Sequence, residues 1–143
     1  MNQSSDFSTL NIKNYIYALV EYLVDRIEEG TKIHFDIQAE GIHLTLVQAV
    51  PLGLIIQEAL TNAIAYAFPE GKGIVSVHMI RQLKEFILTI SDNGVGLPDH
   101  YHVHFKDTFG LRLMEGLASQ LGGYFKLENK SGVTIEVVFA DIR

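Results

Sequence analysis

The chain has 143 residues, 48% of them hydrophobic and 20% charged, with no cysteine and a formal net charge of -6 at pH 7. That length and composition describe one globular domain able to bury roughly two-thirds of the surface its unfolded chain exposes. The missing cysteines exclude disulfides, thiolate catalysis and cysteine-ligated zinc, and make the cytoplasm the expected compartment. Net negative charge argues against nucleic acid and anionic membranes as partners, although backbone N–H groups or a cation could still hold a small anion.

The domain is expected to span residues 11–143, with 1–10 read as disordered or as the start of a linker. The N-terminus, "MNQSSDFSTL", lacks the basic flank and apolar core of a secretory signal. The apolar runs along the chain stop short of the roughly 20 residues a membrane span needs, so no direct membrane insertion is expected. In "LNIKNYIYALVEYLVDRIEEG" Ile12, Ile16, Leu19, Leu23 and Ile27 recur at helical spacing, which predicts a first helix ending at Gly30. "TKIHFDIQAE" alternates Ile33, Phe35 and Ile37 with polar residues, as a half-buried strand does, and "IHLTLV" offers a short second strand. Pro51 suits the first turn of a second helix that runs to Phe68, where "PEGKG" breaks it. "GIVSVHMIR" and "EFILTIS" are expected to pair as a hairpin through "QLK".

A glycine-marked loop, "DNGVGLP", then leads through the polar "DHYHVHFKD" to a third helix from about Phe109 to Leu121, capped by Gly122 and Gly123. Two last strands surround "KSG". Three helices and four or five strands predict a two-layer α/β sandwich with a mixed, mostly antiparallel sheet.

At about 100° per residue, Leu52, Ile55, Ile56, Ala59, Leu60, Ala63 and Ala67 share one arc of the second helix. Glu58, Asn62 and Tyr66 form a polar stripe on the border of that arc, with Gln57, Thr61 and Ala65 opposite the core. Taken alone, such a border stripe reads first as side chains reaching water. In "DNGVGLP", Asp92 ends a strand whose inward residues are Phe86, Leu88 and Ile90, and its carboxylate can accept hydrogen bonds. Gly94 and Gly96 permit positive φ or close approach of a flat ligand, although the loop taken alone reads first as an ordinary Asn93-Gly94 turn. Gly110 opens the third helix, where free N–H groups can bind phosphate or simply leave a loose N-terminus on a core helix. No P-loop, EF-hand or dinucleotide fingerprint is present.

In order and spacing, E-x-x-x-N on a helix, D-x-G-x-G after a hairpin, G-L-x-L opening the next helix and a glycine-bearing terminal hairpin resemble the ATP-binding domain of bacterial sensor histidine kinases. DNA gyrase, the mismatch-repair ATPase and the large heat-shock chaperone share this Bergerat fold. The compact segment between "DNGVGLP" and "FGLRLMEGLASQLGG" looks most like the short-lid subfamily.

The resemblance implies Mg²⁺ held by Asn62 and a catalytic Glu58 that polarises the incoming nucleophile. It further implies an adenine amine accepted by Asp92, with Gly94 and Gly96 making room for the base. Gly110 and Leu111 would offer N–H groups to the phosphates, and Thr134 would lie near the adenine and Asp92. Tyr66 is counted with these ATP-contacting residues as the next member of the stripe.

The activity implied is transfer of the ATP γ-phosphoryl group to a histidine on a separate dimerisation helix, with a response regulator downstream. An anti-sigma-factor serine kinase and a degenerate, non-catalytic nucleotide module are the alternatives. Three departures from the family pattern stand out. Ala65 occupies the place of a phosphate-binding lysine, Val133 separates Gly132 from Thr134, and "PDHYHVHFKDT" is short. Within that segment His100, His102 and His104 alternate; a metal site, a phosphate-facing role with Lys106 and a solvated loop all fit them.

Overall fold

The structure, a computed structural model, describes residues 9–97, 109–129 and 131–142. In chain order the elements are β1 (Thr9–Asn11), α1 (Ile12–Val24), β2 (Lys32–Gln38), β3 (His43–Thr45), α2 (Leu46–Asn62) with a π-helical turn (Ala63–Ala67), β4 (Lys72–Gln82), β5 (Glu85–Asp92), α3 (Phe109–Gln120), β6 (Tyr124–Asn129) and β7 (Val133–Ala140).

Strand alternation decides the layers. The main sheet has the order β2-β4-β5-β7-β6, with β2 parallel to β4 and the other neighbours antiparallel. Its inward residues, among them Val75, Val77, Phe86, Leu88, Ile90, Val137 and Phe139, meet the apolar faces of the three helices in one core. Burying each of the larger side chains contributes roughly 1.5–3 kcal/mol. The expected two-layer sandwich on a mixed, mostly antiparallel sheet is therefore the observed fold. The β4–β5 hairpin closes through Leu83 and Lys84, with Leu83 at φ 58°. Gly122 and Gly123 end α3 as expected. Gly122 has φ 74°, its N–H reaches Ser119 O, and the Gly123 N–H reaches Ala118 O.

Several boundaries differ from the sequence reading. Thr9 and Leu10, expected to be disordered or the start of a linker, pair with Thr45 and Leu44 in a small separate sheet, so the "IHLTLV" strand has its own partner outside the main sheet. Helix α1 stops at Val24, because the next N–H groups turn back to carbonyls three residues earlier: Arg26 to Leu23 and Ile27 to Val24.

Helix α2 begins at Leu46, which puts Pro51 inside it instead of in its first turn. The proline forfeits the bond its N–H would make to Val47 O. Burial of Pro51 and a bond from Gln48 Nε2 to Ala140 O at 2.9 Å hold this end of the helix nonetheless. With its π turn, Leu46–Ala67 is long and apolar enough by length and composition to cross a membrane, unlike the shorter apolar runs expected from the sequence. More than half of its most apolar window is buried inside the domain, as in a core helix.

Candidate functional site

The C-terminal end of α2 and the π turn face the end of β5 and the start of β7 across an open cleft. Ala59, Asn62, Ala63, Tyr66 and Ala67 line it from the helix side. Ile90, Ser91, Asp92, Gly96, Leu97, Val133 and Ile135 line it from the strands and the loop after β5. The lining is mostly apolar with few polar atoms, which suits a flat ring.

Helical spacing carries Asn62 to the same border of α2 as Glu58, and both are half-buried. The helix then widens into the π turn, a distortion common at functional sites. Tyr66 stands at the cleft mouth, 72% exposed, whereas Ala65 points to solvent and does not line the cleft.

Asp92 is held by two backbone donors. Its Oδ1 accepts from Gly94 N at 2.9 Å and from Val133 N at 3.3 Å. Among the described residues no donor is bonded to Oδ2. Gly132, at φ 122°, lies so close that a Cβ there would overlap the Asp92 carbonyl oxygen.

The loop from Asp92 to Leu97 is fastened residue by residue. Asn93 bonds Ile74 twice: Asn93 N to Ile74 O at 3.2 Å, and Ile74 N to Asn93 Oδ1 at 2.8 Å. Gly94 presses on the end of the π turn, where a Cβ would collide with Ala67 O, and Val95 N donates to that same oxygen at 3.0 Å. Gly96 takes φ 73°, and Leu97 is bonded twice to Asn129.

At the other end of the cleft, α3 opens against α2. A Cβ on Gly110 would collide with Glu58 Oε2, so the glycine brings the start of α3 up to this carboxylate. Leu111 is 4% exposed and anchors that turn in the core.

Of the residues singled out from the sequence, Asn62, Tyr66, Asp92 and Gly96 line one cleft. Gly94 packs behind it, and Glu58 and Gly110 meet beyond the Asn62 end. Thr134 does not line it. Strand alternation puts Val133 and Ile135 on the cleft side of β7, and Thr134, paired with Ser91, sits between them with its side chain toward the opposite face. The candidates in the segment 98–108, including His100, His102, His104 and Lys106, lie outside the described residues.

Sequence reasoning missed Asn129 and Asn93, which fasten the loop, and Val133, which lends its N–H to Asp92. Period-2 counting back from Ile135 would have found Val133. A lone Asn at the end of a strand carries no comparable signal.

Over residues 47–142 the chain matches the family described as histidine kinase-, DNA gyrase B-, and HSP90-like ATPase. It is 26% identical over 121 residues to blue-light-activated histidine kinase 2 of Erythrobacter litoralis, covering 83% of this chain but only 34% of that protein. The chain thus spans about a third of the length of this curated relative. Among solved structures, the histidine kinase domain of an Erythrobacter litoralis blue-light-activated kinase superposes with a TM-score of 0.81 at 21% identity, over 92% of this chain and 67% of that one. A mycobacterial sensor histidine kinase superposes with a TM-score of 0.73 at 20% identity, over 92% and 95% of the two chains. These likenesses share the fold of three helices on a mixed sheet, and the family match covers well over half the chain. The chain belongs to the histidine kinase-, DNA gyrase B- and HSP90-like ATPase family.

Proposed function

We propose that the cleft binds Mg²⁺-ATP and that the domain donates the γ-phosphoryl group to a histidine on a separate dimerisation helix, as the catalytic part of a cytoplasmic two-component kinase. The observation that carries this reading is Asp92, with one carboxylate oxygen fixed by Gly94 N and Val133 N at the end of an apolar slot. With Oδ1 so held, the other carboxylate oxygen, Oδ2, accepts from the exocyclic amine of adenine and opposes the carbonyl of guanine. Ala59, Ala63, Ile90 and Ile135 supply the faces against which the ring packs.

The donor set fits magnesium. Among the described residues no group of three or more His, Cys, Asp or Glu side chains could hold a metal, and Mg²⁺ characteristically relies on phosphates and water with one or two protein oxygens. The Asn62 amide oxygen is the protein ligand in this reading, and the ion neutralises phosphate charge when bound. Glu58, beside the opening of α3, accepts the N–H of the incoming imidazole. The other ring nitrogen attacks the γ-phosphorus while the bond to the β–γ bridging oxygen breaks and ADP leaves. Gly110 and Leu111 present backbone N–H groups to the phosphates at the helix N-terminus.

Calorimetry with a non-hydrolysable ATP analogue and Mg²⁺ tests binding, with GTP as the control. Incubation with γ-labelled ATP then tests transfer. The chain alone remains unlabelled, and a separate helical hairpin bearing a phosphorylatable histidine takes up label in its presence. Full labelling of this chain without the hairpin, or equal binding of ATP and GTP, would overturn the assignment.

A further inference from the structure

We propose that Asn129, at the end of β6, is a positioning residue for the nucleotide. Its side chain copies a strand partner. Oδ1 accepts from Leu97 N at 2.8 Å and Nδ2 donates to Leu97 O at 2.6 Å. This closes both backbone hydrogen bonds of a residue that lines the cleft, 32 positions away in sequence. Gly96 completes the fit, because its positive φ and missing Cβ leave the space in which Asn129 Oδ1 sits. Without the clamp, the bonds among the described residues fasten the loop only as far as Val95, and the wall formed by Gly96 and Leu97 would sample conformations that the ligand must reorder. The pairing also ties the loop to the β6–β7 hairpin, whose Val133 N holds Asp92, so one hairpin fixes the loop at both ends.

This inference rests on the cleft being the adenine-nucleotide site, and its test separates the two ideas. Asn129→Ala removes both bonds. Asn129→Asp keeps the acceptor for Leu97 N but sets a second oxygen against Leu97 O, so a side chain of the same shape loses half the clamp. Calorimetry with the non-hydrolysable ATP analogue and Mg²⁺ is expected to show about tenfold weaker binding for Asn129→Ala and an intermediate loss for Asn129→Asp. Amide exchange of the ligand-free proteins is expected to show lost protection at Leu97 in Asn129→Ala, with Gly94 and the core strands unchanged.

Gly96→Ala, whose Cβ would press on Asn129, should be less damaging in the Asn129→Ala background than in wild type. A wild type that binds no nucleotide overturns the reading of the cleft, and the positioning role with it. Wild-type binding with unchanged affinity in Asn129→Ala, or unchanged protection at Leu97, overturns the clamp while leaving the cleft intact. Exchange that rises everywhere in Asn129→Ala assigns a merely structural role and overturns it equally.

Discussion

The two ends of the cleft are built by different means. Around Asp92 the chain is held by backbone: Gly94 N and Val133 N on the carboxylate, Asn93 on Ile74, and Val95 on Ala67 O. Around Glu58 and Asn62 the polar groups project from a helix border, and Ala65 stands where the family pattern places a lysine. The first arrangement fixes the direction of a hydrogen bond before any ligand arrives, which suits discrimination between bases. Under the proposed function, the second would leave charge neutralisation to the cation that comes with the ligand, which suits a site that must release a product of different charge.

The largest effect expected from that contrast belongs to Asp92. In Asp92→Asn the amide oxygen can replace Oδ1 on Gly94 N and Val133 N, which turns the NH₂ toward the slot and sets donor against the adenine amine. The expected result is roughly a 100-fold loss of ATP affinity by calorimetry with little change in thermal unfolding. Equal affinity in wild type and variant would remove Asp92 from base recognition.

Gly132→Ala tests the scaffold behind it. The new Cβ meets the Asp92 carbonyl at a φ of 122°, so strain and overlap should together cost about 2–4 kcal/mol in chemical denaturation, with ATP affinity falling as Asp92 shifts. At the phosphate end, Ala65→Lys should change little. Position 65 lies on the solvent side of the π turn, and a flexible exposed lysine there is expected to tighten ATP binding by no more than about threefold, an effect lost in salt. A thirtyfold gain would show that the widened turn has not carried the position away from the phosphates.

The layers of the fold were legible because they follow from periodicity. The arc from Leu52 to Ala67 and the alternation of Phe86, Leu88 and Ile90 each have one face to bury, and each is buried. Pro51 misled because its local preference for a first turn is worth less than the packing that starts α2 at Leu46, where β3 delivers the chain. In the candidate site, Asp92, Asn62 and Gly96 could be named from spacing. Val133 could be placed by counting back from Ile135, but not its role, which runs through a backbone N–H, and Asn129 acts through a contact 32 residues distant that leaves no compositional trace. Thr134 was implied by the family resemblance, and strand parity leaves it out of the cleft lining.

The smallest effect belongs to a residue of neither end, and it calibrates the others. Asp36 lies on the solvent face of the sheet, where Oδ2 pairs with His78 Nε2 at 2.9 Å and Oδ1 accepts from Gln38 Nε2 at 3.4 Å. The hydrogen bond from His78, and then that from Gln38, holds its carboxyl below the ordinary value of 3.8. A depressed carboxyl pKa means that the folded state binds the proton less readily than the unfolded chain. The stability it contributes is therefore present above about 3.8 and is lost as pH falls through the lower folded value. Thermal unfolding of Asp36→Asn against wild type should show a small deficit at about pH 5 that vanishes in stronger acid. Since the sheet separates this pair from the cleft, ATP affinity at neutral pH should not change. A loss there comparable to that of Asp92→Asn would mean that affinity reports general loosening of the sheet, and the contrast between a rigid adenine end and an open phosphate end would lose its basis.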